Sequence, residues 1–92
     1  MSVHPADALD ARPRVARLYR LQWEEAQQAW VLLYPEGMVK LNPSAGEIMR
    51  RCDGERTVGA IVAELEEAFA AGGLQDDVLG FIDMARARGW LQ

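Results

Sequence analysis

The sequence predicts an α+β domain, a winged-helix-like fold in which a three-stranded antiparallel sheet precedes a three-helix bundle. Up to Leu41 the apolar residues form short alternating or continuous runs, the patterns of strands. From Asn42 they recur at spacings of three and four residues, the pattern of amphipathic helices. Short turns separate the segments, so the predicted order is β-β-β-α-α-α. Each helix has one apolar stripe, which must be buried against the other helices and the sheet.

The strands are predicted from their side-chain alternation and their turns. In residues 15–23, aromatic and branched side chains alternate with others, as in a half-buried strand. Residues 30–34 are apolar on both faces, as expected for a central strand covered on both sides. The PEG sequence at residues 35–37 predicts a tight turn. It leads into a third, short strand at residues 38–41, which completes a meander.

The helices are predicted from their caps. Asn42 is expected to cap the first helix, with Pro43 as its first residue, and Thr57 to cap the second. Asp76 is expected to cap the third helix. Gly89 stands where a left-handed C-terminal cap belongs. Three helices joined by two short turns follow from these signals.

The N-terminal residues 1–13 predict a flexible tail, because prolines and scattered charges leave little to bury. The remaining residues, 14–92, are expected to form a single domain. The only histidine, His4, falls in the tail, where we expect a solvated side chain and no catalytic role.

Composition narrows the class of protein. The chain has 92 residues, a formal net charge of −4 and one cysteine, Cys52, so it has no intramolecular disulfide and no multi-thiolate metal site. No apolar run is long enough to span a membrane, and no secretory signal is apparent. We therefore expect a cytoplasmic protein.

No pattern in the sequence predicts catalysis. Cys52 continues a helical apolar stripe, which favours a core position over a reactive thiol. The carboxylates at residues 64–67 and 76–77 lack metal-loop spacing and fit a solvated helix face and a helix N-terminus. The sequence thus predicts no enzyme and no metal site.

A DNA-binding winged helix is one alternative, and its third helix would have to be basic. That helix has Arg86 and Arg88, but Asp76, Asp77 and Asp83 oppose them. The net negative charge also disfavours a phosphate backbone, so we expect no nucleic-acid partner.

The edge of the sheet suggests a different partner. In a three-stranded meander the third strand exposes unpaired backbone groups, which invite another strand. An extended peptide can add to such an edge. The same edge could be an ordinary one, protected by its shortness and by Lys40, or it could pair with a second copy. We therefore expect a monomer or a weak homodimer.

Several short motifs identify a resemblance. They are WVLLYPEGMVKLN at residues 30–42, CDG at 52–54, TV at 57–58, DDV at 76–78 and GWL at 89–91. Each motif alone is weak, but in this order, in a chain of this length, they resemble the pyrroloquinoline quinone (PQQ) biosynthesis protein D family, PqqD. The resemblance covers residues 13–92.

The resemblance implies a peptide chaperone of PQQ biosynthesis. Such proteins bind a ribosomally made precursor peptide, whose Glu and Tyr side chains become the quinone. They present it to a radical S-adenosylmethionine enzyme, which holds the iron–sulfur clusters, so this chain needs no cofactor. In recognition elements of this fold, the peptide pairs as an added strand with the third strand and lies against the third helix.

Carried over to this chain, the peptide-binding residues are Met38, Val39, Lys40 and Leu41 of the strand and Phe81, Met84, Ala85 and Arg88 of the helix. Met38 or Val39 would form the floor of the groove, and Arg88 could pair with a peptide carboxylate. Two alternatives stay open. The opposite shoulder of the helix, with Leu79 and Arg86, could face the peptide, or Phe81, Ile82 and Ala85 could all be core.

Overall fold

The computed structural model describes residues 7–92, and its strands and helices follow the predicted order. They are a 3-10 turn at Ala8–Asp10, β1 Arg20–Glu24, β2 Ala29–Tyr34, β3 Gly37–Lys40, α1 Pro43–Met49, α2 Val58–Ala68 and α3 Gln75–Ala87. The predicted fold class, a three-stranded antiparallel sheet followed by three helices, is confirmed.

The sheet has β2 at its centre, paired antiparallel with β1 on one side and β3 on the other. Leu21, Leu32 and Val39 lie opposite one another across the three strands, and this row packs against the helices. The neighbouring row, which includes Leu33 and Met38, therefore points to the other face, because successive side chains alternate.

The helix α1 packs closely against β2 at Gly46. A Cβ atom added at Gly46 would lie 2.8 Å from Cδ1 of Trp30, so only glycine permits this approach. Trp30 also makes an edge contact with Trp23 of β1, with ring centroids 5.5 Å apart. Aromatic packing thus holds the sheet against α1.

Two of the predicted caps are confirmed, and the third is wrong. The side chains of Asn42 and Thr57 accept hydrogen bonds from the N–H groups of Ala45 and Ala60, at 2.8 and 3.1 Å. The helix α3 instead begins at Gln75, with Leu74 at the N-cap and Asp76 inside the first turn.

The reason for this difference lies in α2. The carboxylate of Glu66 accepts a hydrogen bond from the Leu74 N–H at 3.0 Å, so a side chain from the preceding helix satisfies the free donor. Asp76 and Asp77 still face the positive end of the α3 dipole.

The end of α3 has the predicted left-handed glycine cap. Gly89 has φ +81°, its N–H donates to Arg86 O, and the Trp90 N–H donates to Ala85 O, each at 2.9 Å. This is the double hydrogen bond of a Schellman motif. It turns Trp90 back toward the body of the domain.

The first strand begins later than predicted. It was expected from Val15, but β1 starts at Arg20. A hydrogen bond of 2.9 Å from the Tyr19 N–H to Ala16 O closes a turn before it. Val15 instead forms a bridge with Leu91, so this segment pairs with the end of the chain rather than with β2.

Residues 8–13 pack against the domain, in contrast to the flexible tail expected over residues 1–13. Pro13 is fully buried, and the Val58 N–H donates to Ala11 O at 2.8 Å. Ala8 and Leu9 also pack against the core, so the folded unit extends at least to residue 8. His4 lies outside the described residues.

The core lies between the sheet and the three helices. Cys52 is buried in it, as predicted, and burial raises the pKa of its thiol to about 12. The thiol therefore stays protonated at neutral pH and is a poor nucleophile. Within residues 7–92, no helix is long and apolar enough to cross a bilayer.

A network of charged side chains joins α1 to α2. Arg51, the buried charged residue, donates to the Glu47 carboxylate at 2.8 Å and lies 3.4 Å from the Glu64 carboxylate. Arg56 links Glu64 to Asp53, with distances of 2.7 and 2.6 Å. This network fixes the loop between the two helices.

Candidate functional site

The strand β3 has one side paired with β2 and one side without a strand neighbour within residues 7–92. Its backbone alternates between the two sides. The Leu41 N–H donates to Trp30 O at 2.9 Å, directly across the ladder. In an antiparallel pair this inward bonding recurs at every second residue, which assigns Val39 to the β2 side as well. The N–H and C=O groups of Met38 and Lys40 therefore point to the open edge.

An apolar groove of about 400 Å³ lies between β3 and α3. Its apolar lining comes from four elements: Val39 and Leu41 at the sheet, Ala45 and Ile48 of α1, Phe81 and Met84 of α3, and Trp90 after the Schellman turn. Most of these side chains also contact the core, so the groove walls are fixed by the fold. An open strand edge thus lies along a preformed apolar groove.

The predicted strand residues divide between the two faces of the sheet. Val39 and Leu41 line the groove with their side chains. Lys40 also borders the groove, but its side chain is on the same face as Met38, because successive side chains alternate. Met38 does not line the groove; its side chain is 50% exposed on the opposite face. Of the two candidates for the groove floor, Val39 is the one that lies there, while Met38 offers backbone groups at the edge.

The predicted peptide-binding residues of α3 differ in their burial. Phe81 and Met84 line the groove and are half-buried. Ala85, like Ile82, is buried in the core below it and does not line the groove. The helix thus turns its Phe81–Met84 shoulder to the groove, and Leu79 of the opposite shoulder is buried.

Arg88 does not line the groove, but it contacts Trp90, which does. Its guanidinium carbon is 5.6 Å from the centre of the Trp90 ring, a cation–π contact. It holds the tryptophan rather than forming the groove wall itself. Because its side chain stays exposed, the guanidinium can still meet a carboxylate near Trp90.

Three parts of the groove are not predicted from the sequence. Asp77 lies one helical turn before Phe81 and lines the same groove, and its spacing could have indicated this. Trp90 was predicted to fold back but was not assigned to the site. The α1 residues Ala45 and Ile48 looked purely structural, because a groove floor and a core have the same apolar pattern.

Charges of both signs border the groove. Lys40 lies on the sheet side and Asp77 on the helix side, and both are exposed. Neither makes an ion pair within residues 7–92. An extended ligand with both charges and apolar side chains between them is complementary to this surface.

Comparison with known proteins identifies the family. The model of a protein family described as coenzyme PQQ synthesis protein D (PqqD) matches residues 29–91. The chain belongs to the PqqD family. The resemblance found in the sequence is thereby confirmed. The match includes β2, β3, all three helices and Trp90, so every element of the groove lies within it.

Curated PqqD relatives are similar over most of their length. A protein of Azotobacter vinelandii named PqqA binding protein is 52% identical over 81 residues, which cover 87% of this chain and 88% of the relative. A protein of Methylococcus capsulatus with the same name is 42% identical over 92 residues, covering 100% of this chain and 95% of the relative.

A solved PqqD structure has the same fold. It is the solution NMR structure of the PqqD truncation of Methylobacterium extorquens PqqCD. It is described as a functional, stand-alone recognition element for ribosomally synthesised and post-translationally modified peptides. The TM-score is 0.72 with 28% sequence identity, and the match covers 87% of each chain.

Proposed function

We propose that this chain binds a PqqA-type precursor peptide as an added strand on β3 and presents it to a radical S-adenosylmethionine enzyme of PQQ biosynthesis. The observation that carries the proposal is the open edge of β3 beside an apolar groove. The relatives named PqqA binding protein support the choice of peptide. The chain acts in the cytoplasm, where the precursor peptide is made.

The backbone of β3 gives the peptide its general affinity. Met38 and Lys40 direct their N–H and C=O groups to the open edge and can form ladder bonds with an extended segment. Each such bond contributes about 0.5–1.5 kcal/mol net, because the same groups are hydrated in the free protein. A short edge strand alone therefore gives only modest affinity and no selectivity.

The groove gives the peptide its selectivity. Alternate side chains of an added strand point to one face, here toward Phe81, Met84 and Trp90. Apolar peptide side chains would be buried there, with about 25 cal/mol gained for each Å² of apolar surface removed from water. Arg88, which contacts Trp90, would pair with a peptide carboxylate, such as a glutamate.

The role of the chain is to bind the peptide and not to transform it. None of the described residues that line the groove is a histidine or a cysteine, and Cys52 is buried with its pKa raised. The enzyme supplies the iron–sulfur and radical chemistry. Holding the peptide on a partner docked to the enzyme gives an effective concentration on the order of 1 mM for short tethers.

An NMR titration of the isotopically labelled protein with its PqqA peptide tests the proposal. The amides of Met38 and Lys40 should become protected from hydrogen exchange, because they are free before binding and paired afterwards. The Val39 and Leu41 amides already bond to β2 and should gain little. Shifts that avoid both β3 and residues 81–84 would overturn the site, and no shift at all would overturn the function.

Self-association is a second use of the same edge, favoured by the lack of a strand neighbour on β3 within the described residues. It predicts a dimer that peptide dissociates, because the two compete for one edge. Sedimentation velocity over a range of concentrations, with and without peptide, tests it. A monomer at every concentration would exclude this use.

A further inference from the structure

A second apolar cavity adjoins the groove. It has a volume of about 300 Å³ and lies between the start of α1, the end of α2 and the start of α3. Its lining includes Leu65, Phe69, Leu74 and Val78. We call it the Phe69 pocket. Ser44, Ile48 and Asp77 line both this pocket and the groove, so the two cavities are neighbours.

Phe69 is the unusual residue of this pocket. It continues the apolar stripe of α2, and such a position is normally buried. Its side chain is nevertheless 56% exposed, whereas Leu65 and Val78 beside it are buried. A large aromatic side chain left half in water at the mouth of an apolar pocket is a typical anchor for a binding partner.

The loop after Phe69 keeps the pocket open. Ala70 has φ +49° and Gly73 has φ +72°, both in the left-handed region. Gly72 and Gly73 have no other group within 4 Å of their Cβ positions, so no side chain packs against these two residues. The Glu66–Leu74 hydrogen bond described above holds its far end. The chain therefore leaves the pocket unfilled instead of covering it with its own side chains.

A carboxylate stands at the junction of pocket and groove. Asp77 is exposed there and makes no ion pair or hydrogen bond among the described side chains. Glu47, which also lines the pocket, is already paired with Arg50 and Arg51. The free negative charge at the junction is complementary to a cationic side chain next to an apolar one.

We propose that the Phe69 pocket binds an apolar side chain of the same precursor peptide, outside the strand-paired segment, with an adjacent Lys or Arg of the peptide paired to Asp77. This inference rests on the proposed function, since it extends the peptide's path beyond β3. From Lys40 the chain leads through Asn42 and Ser44 to the pocket. The pocket therefore lies beyond the C-terminal end of β3. If the peptide runs antiparallel to β3, its N-terminal side is at this end. The peptide residue in the pocket is then N-terminal to the peptide segment paired with β3.

Calorimetric titration of the full-length protein with its PqqA peptide tests this. Phe69→Ala should weaken binding about tenfold, the effect of losing one well-buried aromatic contact. Leu18→Ala is the matched control, because Leu18 is 73% exposed and lines neither cavity. It should leave the affinity unchanged. Ala71→Leu, which fills the pocket from its exposed wall, should also weaken binding.

Peptide variants identify the partner of Phe69. Each apolar residue outside the paired segment is replaced by Ala in turn. One replacement should weaken binding to the native protein yet leave binding to Phe69→Ala unchanged, which demonstrates direct coupling. Asp77→Asn should weaken binding at low salt and have little effect at high salt.

The outcomes separate this inference from the proposed function. If Phe69→Ala and Ala71→Leu bind as tightly as the native protein while the β3 amides still shift, the pocket is not used and strand addition stands. If the native protein shows no β3 shifts, strand addition fails first. Equal losses for Phe69→Ala and Leu18→Ala would also overturn the pocket, because they would reflect a general effect of surface apolar residues.

Discussion

Trp30 of the central strand and Gly46 of the first helix are in such close contact that a single methyl group would not fit between them. A Cβ at Gly46 would also lie 3.2 Å from the Trp30 Cβ. The Trp30 ring also makes an edge contact with the Trp23 ring, with centroids 5.5 Å apart. The packing of α1 against the sheet, and with it the α1 side of the groove, depends on this glycine.

Gly46→Ala should therefore destabilise the protein by about 1–3 kcal/mol, the usual cost of overpacking. Without this contact, alanine should stabilise the helix by about 1 kcal/mol, because its helix propensity is better than that of glycine. A loss of stability in Gly46→Ala would therefore indicate the clash with Trp30. Gly80→Ala is the control. Gly80 lies within α3 with nothing within 4 Å of its Cβ position, so alanine there should stabilise. Urea denaturation measures both, and a stabilised Gly46→Ala would contradict the contact.

The open edge of β3 can be tested with proline. Met38→Pro removes an N–H that points away from β2, so the sheet should tolerate it, as edge strands do. Peptide affinity should fall about tenfold or more, because one ladder bond is lost and the ring obstructs the edge. Met38→Ala, which keeps the N–H, should bind nearly as well as the native protein. Equal affinities for the two variants, measured by calorimetry, would argue against strand addition.

Two substitutions test which side of α3 faces the peptide. Met84→Ala should weaken peptide binding by about 1–2 kcal/mol, because the side chain lines the groove and is half-buried there. Arg86 is on the opposite shoulder and is exposed, so Arg86→Ala should have no effect. A larger loss for Arg86→Ala than for Met84→Ala would place the peptide on the other side of α3.

The dependence of stability on pH should report the Glu47–Arg51 pair. The hydrogen bond from Arg51 is the main reason that the pKa of Glu47 lies below its ordinary value of 4.5. The stabilisation is therefore present above pH 4.5 and lost as the pH falls through the lowered folded-state pKa. Glu47→Gln should be less stable than the native protein at neutral pH, and the difference should shrink in acid. Urea midpoints over that range measure it, and a constant difference would rule out the linkage.

Local sequence signals were sufficient for most of the fold. Asn42 and Thr57 predicted the starts of two helices, and Gly89 predicted the end of the third, because each cap uses residues that are close in sequence. The start of α3 was missed because its cap comes from Glu66, a contact between two helices. The late start of β1 likewise depends on Val15 pairing with the far end of the chain.

The site was harder to predict than the fold. The edge at residues 38–41 followed from strand order alone. Which side chains line the groove depends on how α3 is rotated against the sheet, and periodicity leaves that rotation open. Ala85 and Phe81 belong to one apolar stripe, yet one is core and the other faces the groove. Phe69 shows the converse, since its pattern predicts burial and its side chain is exposed.

The position of Trp90 in the groove bears on the order in which the protein folds. Trp90 is held in place by the Schellman turn and by a hydrogen bond of 2.9 Å from the Ala16 N–H to Trp90 O, which joins the segment before β1 to the segment after α3. Closing so long a loop carries a large entropic cost, so this contact should form late in folding. Chains that have not yet closed it lack one wall of the groove. A peptide that requires that wall therefore binds only completed molecules and shifts the folding equilibrium toward them.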